Sequence, residues 1–234
     1  ARATILKQQI AKGMMPKGTK LAERPEGMPE WKSLSPDKKR LYARQMEVFA
    51  ASLSHADEQF GRILDALEAR GELDNSIIAI TSDNGASAEG AYHGTHNETL
   101  FMNGHYPSAE ENMPFLDKWG GPETYPHMAA GWSVAFNAPF GWMKQVPSDF
   151  GGTRNGMVVA WPKGIRAKNE IRSQFGHVID VAPTVLFWDK GTYPDDFKSI
   201  DDLKAFAKSG KGSGGTPSGH SQMVYMFDRF PGTR

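Results

Sequence analysis

The clearest hydrophobic pattern in the chain predicts a long amphipathic helix. Between Ser35-Pro36 and Gly71, apolar side chains recur at alternating steps of four and three residues, which places them on one helical face. Ser35 and Pro36 suit an N-cap and a first helical position, and Gly71 suits the residue just beyond a C-terminus. We expect this helix to cover one face of a sheet. Its apolar face consists of Tyr42, Met46, Phe49, Leu53, Ala56, Phe60, Ile63 and Leu67.

Two short apolar runs predict buried β-strands. The first is the strand over 76–81, which contains the run Ile-Ile-Ala-Ile, and the second is the segment over 156–162, which ends at a proline. Strands without polar alternation are typical of the sheet in an α/β fold, because helices cover both of its faces. Weaker patterns predict helices over 1–15, 173–188 and 195–208, and a further strand over 222–227.

Composition and charge exclude several classes of partner. A chain of 234 residues is long enough to bury a core as one large domain or two small ones. Its 27 basic and 27 acidic residues balance, so no electrostatic field favours nucleic acid or an anionic membrane. The absence of cysteine removes disulfides and thiolate metal sites. No apolar run approaches the roughly 20 residues that a membrane-spanning helix needs.

Oxygen-bearing side chains follow the first predicted strand where it should end. Asp83 and Asn84 supply a carboxylate and an amide oxygen, the hard donors that Ca²⁺ and Mg²⁺ prefer. In open α/β sheets, the functional crevice lies beyond the carboxyl ends of the strands. Asp-Asn-Gly is equally ordinary turn chemistry, and spacing alone does not separate the two interpretations.

The region 85–137 is rich in glycine, asparagine, histidine and aromatic residues and predicts a long loop. Loops of this length inside a compact domain are usually functional or disordered. His93-Gly-Thr-His96 suggests zinc, but the spacing is weak because no predicted helix holds both rings on one face. The run Gly210-x-Gly212-x-x-Gly215 formally matches a dinucleotide fingerprint, yet it follows a helical pattern instead of a strand, so we reject it.

Several blocks of the chain resemble the bacterial arylsulfatases, which are formylglycine-dependent sulfatases of the alkaline-phosphatase-like superfamily. The segment 73–86, Leu-Asp-Asn-Ser-Ile-Ile-Ala-Ile-Thr-Ser-Asp-Asn-Gly-Ala, is similar to a signature of that family. Blocks over 42–71, 138–165 and 175–186 follow in the family's order. The resemblance implies part of an alkaline-phosphatase-like three-layer α/β/α sandwich with a mixed sheet. We predict the C-terminal portion of the catalytic domain over 1–187, and a variable linker with the start of a C-terminal region over 188–234.

The resemblance also implies an activity, the hydrolysis of small-molecule sulfate monoesters of the aryl sulfate type. Asp83 and Asn84 would be ligands of one Ca²⁺ ion. Lys144 would be the catalytic and substrate-binding lysine that contacts the sulfate and neutralises the leaving oxygen. Residues 85–137 would form a lid, with aromatic side chains as walls of the aryl pocket: Trp119, Tyr125 and Trp132.

One element of the family pattern is missing from the chain. These enzymes make their formylglycine nucleophile from the first residue of a Cys-x-Pro-x-Arg motif, sometimes from serine in the same place, and neither form occurs here. The chain also begins at Ala1, so we expect a truncated or processed protein whose nucleophile lies outside it and which is inactive alone. We expect a soluble protein of the bacterial cytoplasm or periplasm.

Two alternatives stay open. The first is a phosphodiesterase or phosphonate hydrolase of the same superfamily, and the second is a non-catalytic metal-binding remnant. For three other polar residues, we predict a structural role and no part in a functional site. Arg154 is expected in a buried ion pair or carbonyl contact, and His177 and Asp180 are expected to support the packing of the helix over 173–188.

Overall fold

The computed structural model describes residues 1–173, 175–181 and 184, in which helices predominate. The chain divides into two compact units, one of Ala1–Leu67 with Thr81–Met157 and the other of Glu68–Ile80 with Val158–Arg234. Short 3₁₀ helices occur at Trp31–Ser33, Leu73–Asn75, Met113–Lys118 and Val178–Asp180. The longer elements are α1 (Arg2–Ala11), α2 (Pro36–Ala69), β1 (Ile78–Thr81), α3 (Thr99–Met102), α4 (Ala109–Asn112), α5 (Ala130–Phe136), α6 (Phe150–Thr153) and β2 (Met157–Ala160).

Helix α2 confirms the prediction from the hydrophobic pattern. The Ser35 hydroxyl accepts a hydrogen bond from the Lys38 N–H at 3.3 Å, and Pro36 is the first helical residue. At the other end, Gly71 adopts a φ of 68° and its N–H donates to the Glu68 carbonyl at 2.8 Å. A glycine closes the helix because this left-handed conformation strains residues that carry a Cβ atom.

Burial along α2 is uneven, which corrects the expectation of a continuous covered face. The buried side chains of this helix, Leu41, Tyr42 and Gln45, all lie in its first third. Farther along the same face, Leu53 and Ile63 are 53% and 58% exposed. The predicted period is right, but the described part of the chain covers only the beginning of the apolar face.

The region 85–137 is not an open loop, because it supplies most of the hydrophobic core of the first unit. Its α4, the following 3₁₀ helix and the start of α5 pack on the beginning of α2. The capping box that Ser108 and Glu111 form fixes the start of α4. The buried core cluster contains Leu41, Tyr42, Ala109, Leu116, Trp119 and Ala129.

Two fully buried amides fix this region: Gln45 joins it to α2, and Asn112 joins two of its own segments. The Gln45 amide donates to the His93 carbonyl at 2.8 Å and accepts from the Ala129 N–H at 3.0 Å. The Asn112 amide donates to the Gly94 carbonyl at 3.0 Å and accepts from the His96 N–H at 3.0 Å. Each side chain satisfies backbone groups that would otherwise be buried without a partner, which is costly.

The second unit contains the small antiparallel sheet of β1 and β2. Both strands were predicted as buried, but β2 is exposed throughout and β1 is exposed except at its first residue. A pair of strands without a covering layer leaves both faces open, so the prediction of burial is wrong for the described residues. The Lys163 N–H donates to the Asp74 carbonyl at 2.8 Å, which joins the segment after β2 to the 3₁₀ helix before β1.

The helix predicted over 173–188 begins later than expected. Residues 171–173 and 175–177 have no regular structure, a 3₁₀ turn covers Val178–Asp180, and Val181 and Thr184 are helical. The Asp180 carboxylate accepts from the His177 N–H at 2.8 Å, which agrees with a structural role for this pair. The helix over 195–208, the strand over 222–227, the glycine run and the boundary at 187/188 lie outside the described residues. None of the described helices is long and apolar enough to cross a membrane.

Candidate functional site

The predicted metal ligands lie directly after β1. Asp83 is exposed, and among the described residues its carboxylate has no hydrogen bond or ion pair. The Asn84 side-chain N–H donates to the Gly85 carbonyl at 2.9 Å, which leaves its amide oxygen as an acceptor. Two uncommitted oxygens on neighbouring residues match the donor type that Ca²⁺ takes, so the residues present fit the expected ion.

Asn137 connects this turn to the segment that carries Lys144. Its amide oxygen accepts from the Ala86 N–H at 2.9 Å, and its side-chain N–H donates to the Trp142 carbonyl at 3.0 Å. The Lys144 N–H in turn donates to the Ala86 carbonyl at 3.2 Å. The backbone of Lys144 is therefore bonded two residues beyond Asn84, although the two predicted site segments are distant in sequence. Sequence reasoning did not identify Asn137.

Close backbone contacts between glycines make this connection possible. The Gly85 N–H donates to the Gly152 carbonyl at 2.9 Å. A Cβ atom on Gly85 would lie 1.7 Å from the Gly151 carbonyl oxygen, and one on Gly151 would lie 2.1 Å from the Gly141 carbonyl oxygen. The backbones approach too closely for any side chain, so the sequence Gly151-Gly152 is required by packing.

The Lys144 ammonium is held by a carboxylate that the sequence did not single out. Its Nζ lies 3.2 Å and 3.4 Å from the two Glu89 carboxylate oxygens. The Ser87 hydroxyl donates to the same carboxylate at 2.8 Å. The Ser87 hydrogen bond lowers the pKa of Glu89, and Lys144 lowers it further against the opposing effect of burial. Glu89 thus stays ionised and orients a partly exposed lysine.

The His93 and His96 pair does not form a zinc site, because each ring has another partner. The Tyr42 hydroxyl lies 2.5 Å from His93 Nδ1; burial raises the pKa of Tyr42 to about 12 and lowers the pKa of His93. His96 Nδ1 lies 2.9 Å from the Asn112 amide oxygen, and its ring stacks on Phe115 with centroids 3.9 Å apart. Both rings are committed to packing and hydrogen bonds inside the first unit.

A different histidine joins two carboxylates. Ligand atoms of Glu89, Glu98 and His127 all lie within 4.8 Å of one another, and all three residues are partly buried. A search of the described residues for three or more histidine or acidic side chains that could hold one metal ion finds this group. The sequence analysis noted only the density of histidines in the surrounding region.

The aromatic residues predicted as pocket walls have different environments. Trp119 is 3% exposed and belongs to the core, whereas Tyr125 is 61% exposed. The Trp132 indole N–H donates to the Tyr42 carbonyl at 2.9 Å. A shallow groove of about 750 Å³ is lined by Trp119 but by none of the predicted site residues. The burial of Trp119 in the core does not agree with its predicted role as a pocket wall, whereas the role of Tyr125 and Trp132 stays a prediction.

Arg154 also differs from its expected structural role. Its side chain is exposed, and no ion pair to it occurs among the described residues. The guanidinium carbon lies 5.1 Å and 5.5 Å from the ring centroids of Phe140 and Phe150, which is the range of a cation–π contact. The interpretation as a buried ion pair or carbonyl contact is therefore wrong.

Comparison of the sequence with known proteins identifies the family of this chain. The sulfatase family model matches residues 10–189. An arylsulfatase of Klebsiella aerogenes is 28% identical over 181 residues, which are 76% of this chain and 35% of that protein. An uncharacterized sulfatase of Schizosaccharomyces pombe is 30% identical over 160 residues, which are 68% of this chain and 27% of that protein. The chain thus spans about a third of the length of these relatives. It belongs to the sulfatase family, whose fold is of the alkaline-phosphatase-like α/β type.

Proposed function

We propose that this chain is the C-terminal portion of a sulfatase catalytic domain, in an enzyme that hydrolyses sulfate monoesters and aryl sulfates in particular. The observation that carries the proposal is the hydrogen bond from the Lys144 N–H to the Ala86 carbonyl at 3.2 Å. It joins the segment of a predicted sulfate-binding cation to the turn of the predicted metal ligands. Family membership and a relative named arylsulfatase support the same class of reaction.

Asp83 and Asn84 would hold one Ca²⁺ ion together with ligands from elsewhere in the protein. The exposed Asp83 carboxylate supplies charge, and the Asn84 amide oxygen supplies a neutral donor that the hydrogen bond to Gly85 orients. A bound Ca²⁺ ion would supply electrostatic stabilisation to the sulfate oxygens. These two residues share one turn, so their backbone fixes the spacing of the two donors before any ion binds.

Lys144 would bind a sulfate oxygen and offset the charge that develops on the leaving oxygen. An ammonium group has three N–H donors, and the two Glu89 oxygens at 3.2 Å and 3.4 Å engage no more than two of them. One donor stays available for substrate. Glu89 would act as a positioning residue that keeps the ammonium charged and aimed in one direction.

The remaining parts of the proposal concern the whole protein. The nucleophile would be a formylglycine outside this chain, and the complete domain would form the three-layer α/β/α sandwich with a mixed sheet. Residues 188–234 would begin a C-terminal region after a variable linker. The exposed faces of β1 and β2 support this arrangement, because a sheet of an α/β fold is covered on both faces.

The test uses the full coding sequence that contains this chain. An in-frame Cys-x-Pro-x-Arg motif upstream of Ala1 would supply the nucleophile, and the complete protein is then assayed with 4-nitrophenyl sulfate. We expect Asp83→Ala and Lys144→Ala each to lower kcat at least about 100-fold, the usual effect of removing a group that stabilises the transition state. Lys118→Ala is the matched control, since that lysine pairs with Glu123 at the surface, and it should leave kcat unchanged.

Three outcomes would contradict the proposal. Near-normal kcat in Lys144→Ala or Asp83→Ala would remove the assigned roles. Faster turnover of an aryl phosphodiester than of the aryl sulfate would favour the phosphodiesterase alternative. Calcium binding that depends on Asp83, without hydrolysis of either ester, would identify a metal-binding protein that has lost its catalytic function.

A further inference from the structure

Glu89, Glu98 and His127 are brought together by backbone pairing within the first unit. Thr95 and His127 exchange two backbone hydrogen bonds, each of 2.9 Å, as an antiparallel bridge. The Glu98 N–H donates to the Tyr125 carbonyl at 2.7 Å. These bonds fix the backbone positions of Glu98 and His127, so their proximity to Glu89 does not depend on flexible side chains alone.

The two carboxylates of this group lie close together, and among the described residues only Glu89 has a cationic partner. Glu89 contacts the Lys144 ammonium, whereas Glu98 has no hydrogen bond or ion pair through its side chain among the described residues. Their ligand atoms lie within 4.8 Å of each other, a distance at which two carboxylates repel. A cation that both carboxylates contact would remove this repulsion, and Lys144 contacts only one of them.

Two backbone groups contact Nδ1 of the His127 ring, and one of the two ring tautomers suits metal binding. Its Nδ1 lies 3.1 Å from the Met128 carbonyl oxygen and 3.2 Å from the Gly90 N–H. In the tautomer that carries its proton on Nε2, Nδ1 accepts a hydrogen bond from the Gly90 N–H. In the tautomer that carries its proton on Nδ1, this nitrogen donates to the Met128 carbonyl, and the lone pair of the neutral ring lies on Nε2. Histidine ligands of metals commonly donate their other ring N–H to a backbone carbonyl in this manner.

We propose that Glu89, Glu98 and His127 form a binding site for one divalent transition-metal ion of the zinc class. Two carboxylate oxygens and one imidazole nitrogen are a mixed donor set that Zn²⁺ accepts, whereas Ca²⁺ prefers oxygen donors alone. The Glu89 carboxylate has lone pairs beyond those that Ser87 and Lys144 engage. The site shares no residue with Asp83 and Asn84, but it uses Glu89, the carboxylate that also contacts Lys144. Its test measures metal binding and does not depend on the proposed sulfatase activity.

The test is isothermal titration calorimetry of the 234-residue chain with ZnCl₂, after treatment with a chelator. Glu98→Gln removes one charged ligand at a side chain that has no other described contact, so the fold should be kept. His127→Asn retains a polar group near the position of Nδ1 and removes the Nε2 lone pair. We expect each variant to weaken the binding of one Zn²⁺ ion at least about tenfold.

A control variant separates this site from other sources of affinity. Glu123→Gln removes an exposed carboxylate of the same type and should bind Zn²⁺ as the unmodified chain does. Circular dichroism spectra establish that the variants keep the helical content of the parent chain. The proposal is overturned if the folded chain binds no Zn²⁺, or if Glu98→Gln and His127→Asn bind it with unchanged affinity.

Discussion

Gly85→Ala tests the backbone contact that joins the Asp83-Asn84 turn to the Lys144 segment. In the structure, a Cβ atom at this position would lie 1.7 Å from the Gly151 carbonyl oxygen and 2.8 Å from the Gly151 carbonyl carbon. Real Cβ atoms do not approach within about 3 Å, so one backbone must move by more than 1 Å. The nearest atoms belong to the backbone, which cannot rotate away as a flexible side chain can.

The magnitude follows from three contributions. Separating the segments breaks the 2.9 Å hydrogen bond from the Gly85 N–H to the Gly152 carbonyl, which contributes about 1 kcal/mol. Forcing an extra carbon into a packed contact costs about 1–3 kcal/mol. Alanine has less conformational entropy than glycine in the unfolded chain, which stabilises the folded state by about 0.4–1 kcal/mol. We expect a net loss of about 1–3.5 kcal/mol in the free energy of unfolding.

Gly61→Ala is the matched control because it makes the same chemical change without the contact. Gly61 lies inside α2, and a Cβ atom there meets nothing within 4 Å. Alanine is favoured over glycine in a helix by about 0.8–1 kcal/mol, so this variant should be more stable than the parent chain. Urea unfolding followed by circular dichroism measures both variants, and equal slopes would show that the unfolded states are comparable.

The opposite signs of the two effects make the comparison decisive. Stability of Gly85→Ala equal to that of the parent chain, alongside the expected gain in Gly61→Ala, would mean that residues 85 and 151 are not in close contact. The connection between the predicted ligand turn and the lysine segment would then be wrong, and the proposed site with it.

Three further predictions concern the core of the first unit. Leu41→Ala should cost about 2–5 kcal/mol in urea unfolding because Leu41 is 0% exposed, whereas Leu53→Ala on the same helix should stay within about 0.5 kcal/mol at 53% exposure. Equal losses would contradict the uneven burial of α2. The phenol of Tyr42 should titrate near its raised pKa of about 12, and Tyr42→Phe should remove that step from the near-ultraviolet absorbance titration. Stability through this residue is lost as pH rises above the unfolded pKa of about 10, since the fold favours the neutral phenol. Asn112→Leu should cost at least about 2 kcal/mol in the same urea assay by orphaning buried backbone groups of the core, and an unchanged midpoint would refute the role of this amide.

The predictions that the structure confirmed depend on residues that are neighbours in the sequence. The period of α2, its serine and proline at the start and its glycine beyond the end are all encoded within one continuous segment. Asp83 and Asn84 follow β1 as the sequence predicted. Whether they bind calcium stays a prediction, as does the role of Lys144. The sulfatase resemblance was confirmed by the family match over 10–189.

Burial was predicted less well because it depends on what covers a segment. The apolar runs of β1 and β2 suited a covered sheet, but the described residues provide no layer over either strand. The composition of region 85–137 predicted a long loop, and the family resemblance implied that this loop is a lid. Several of its apolar side chains form the core with α2, and Gln45 and Asn112 satisfy backbone groups that are buried there.

The sequence by itself determined the helix, the first strand with its polar turn, and the family, because each rests on neighbouring residues or on motifs in order. Only the tertiary structure decided which distant groups meet. Glu89 beside Lys144, Asn137 between two segments, and His127 beside two carboxylates depend on hydrogen bonds between residues far apart in the chain. No local pattern encodes those contacts, since they form only when the backbone brings the segments together.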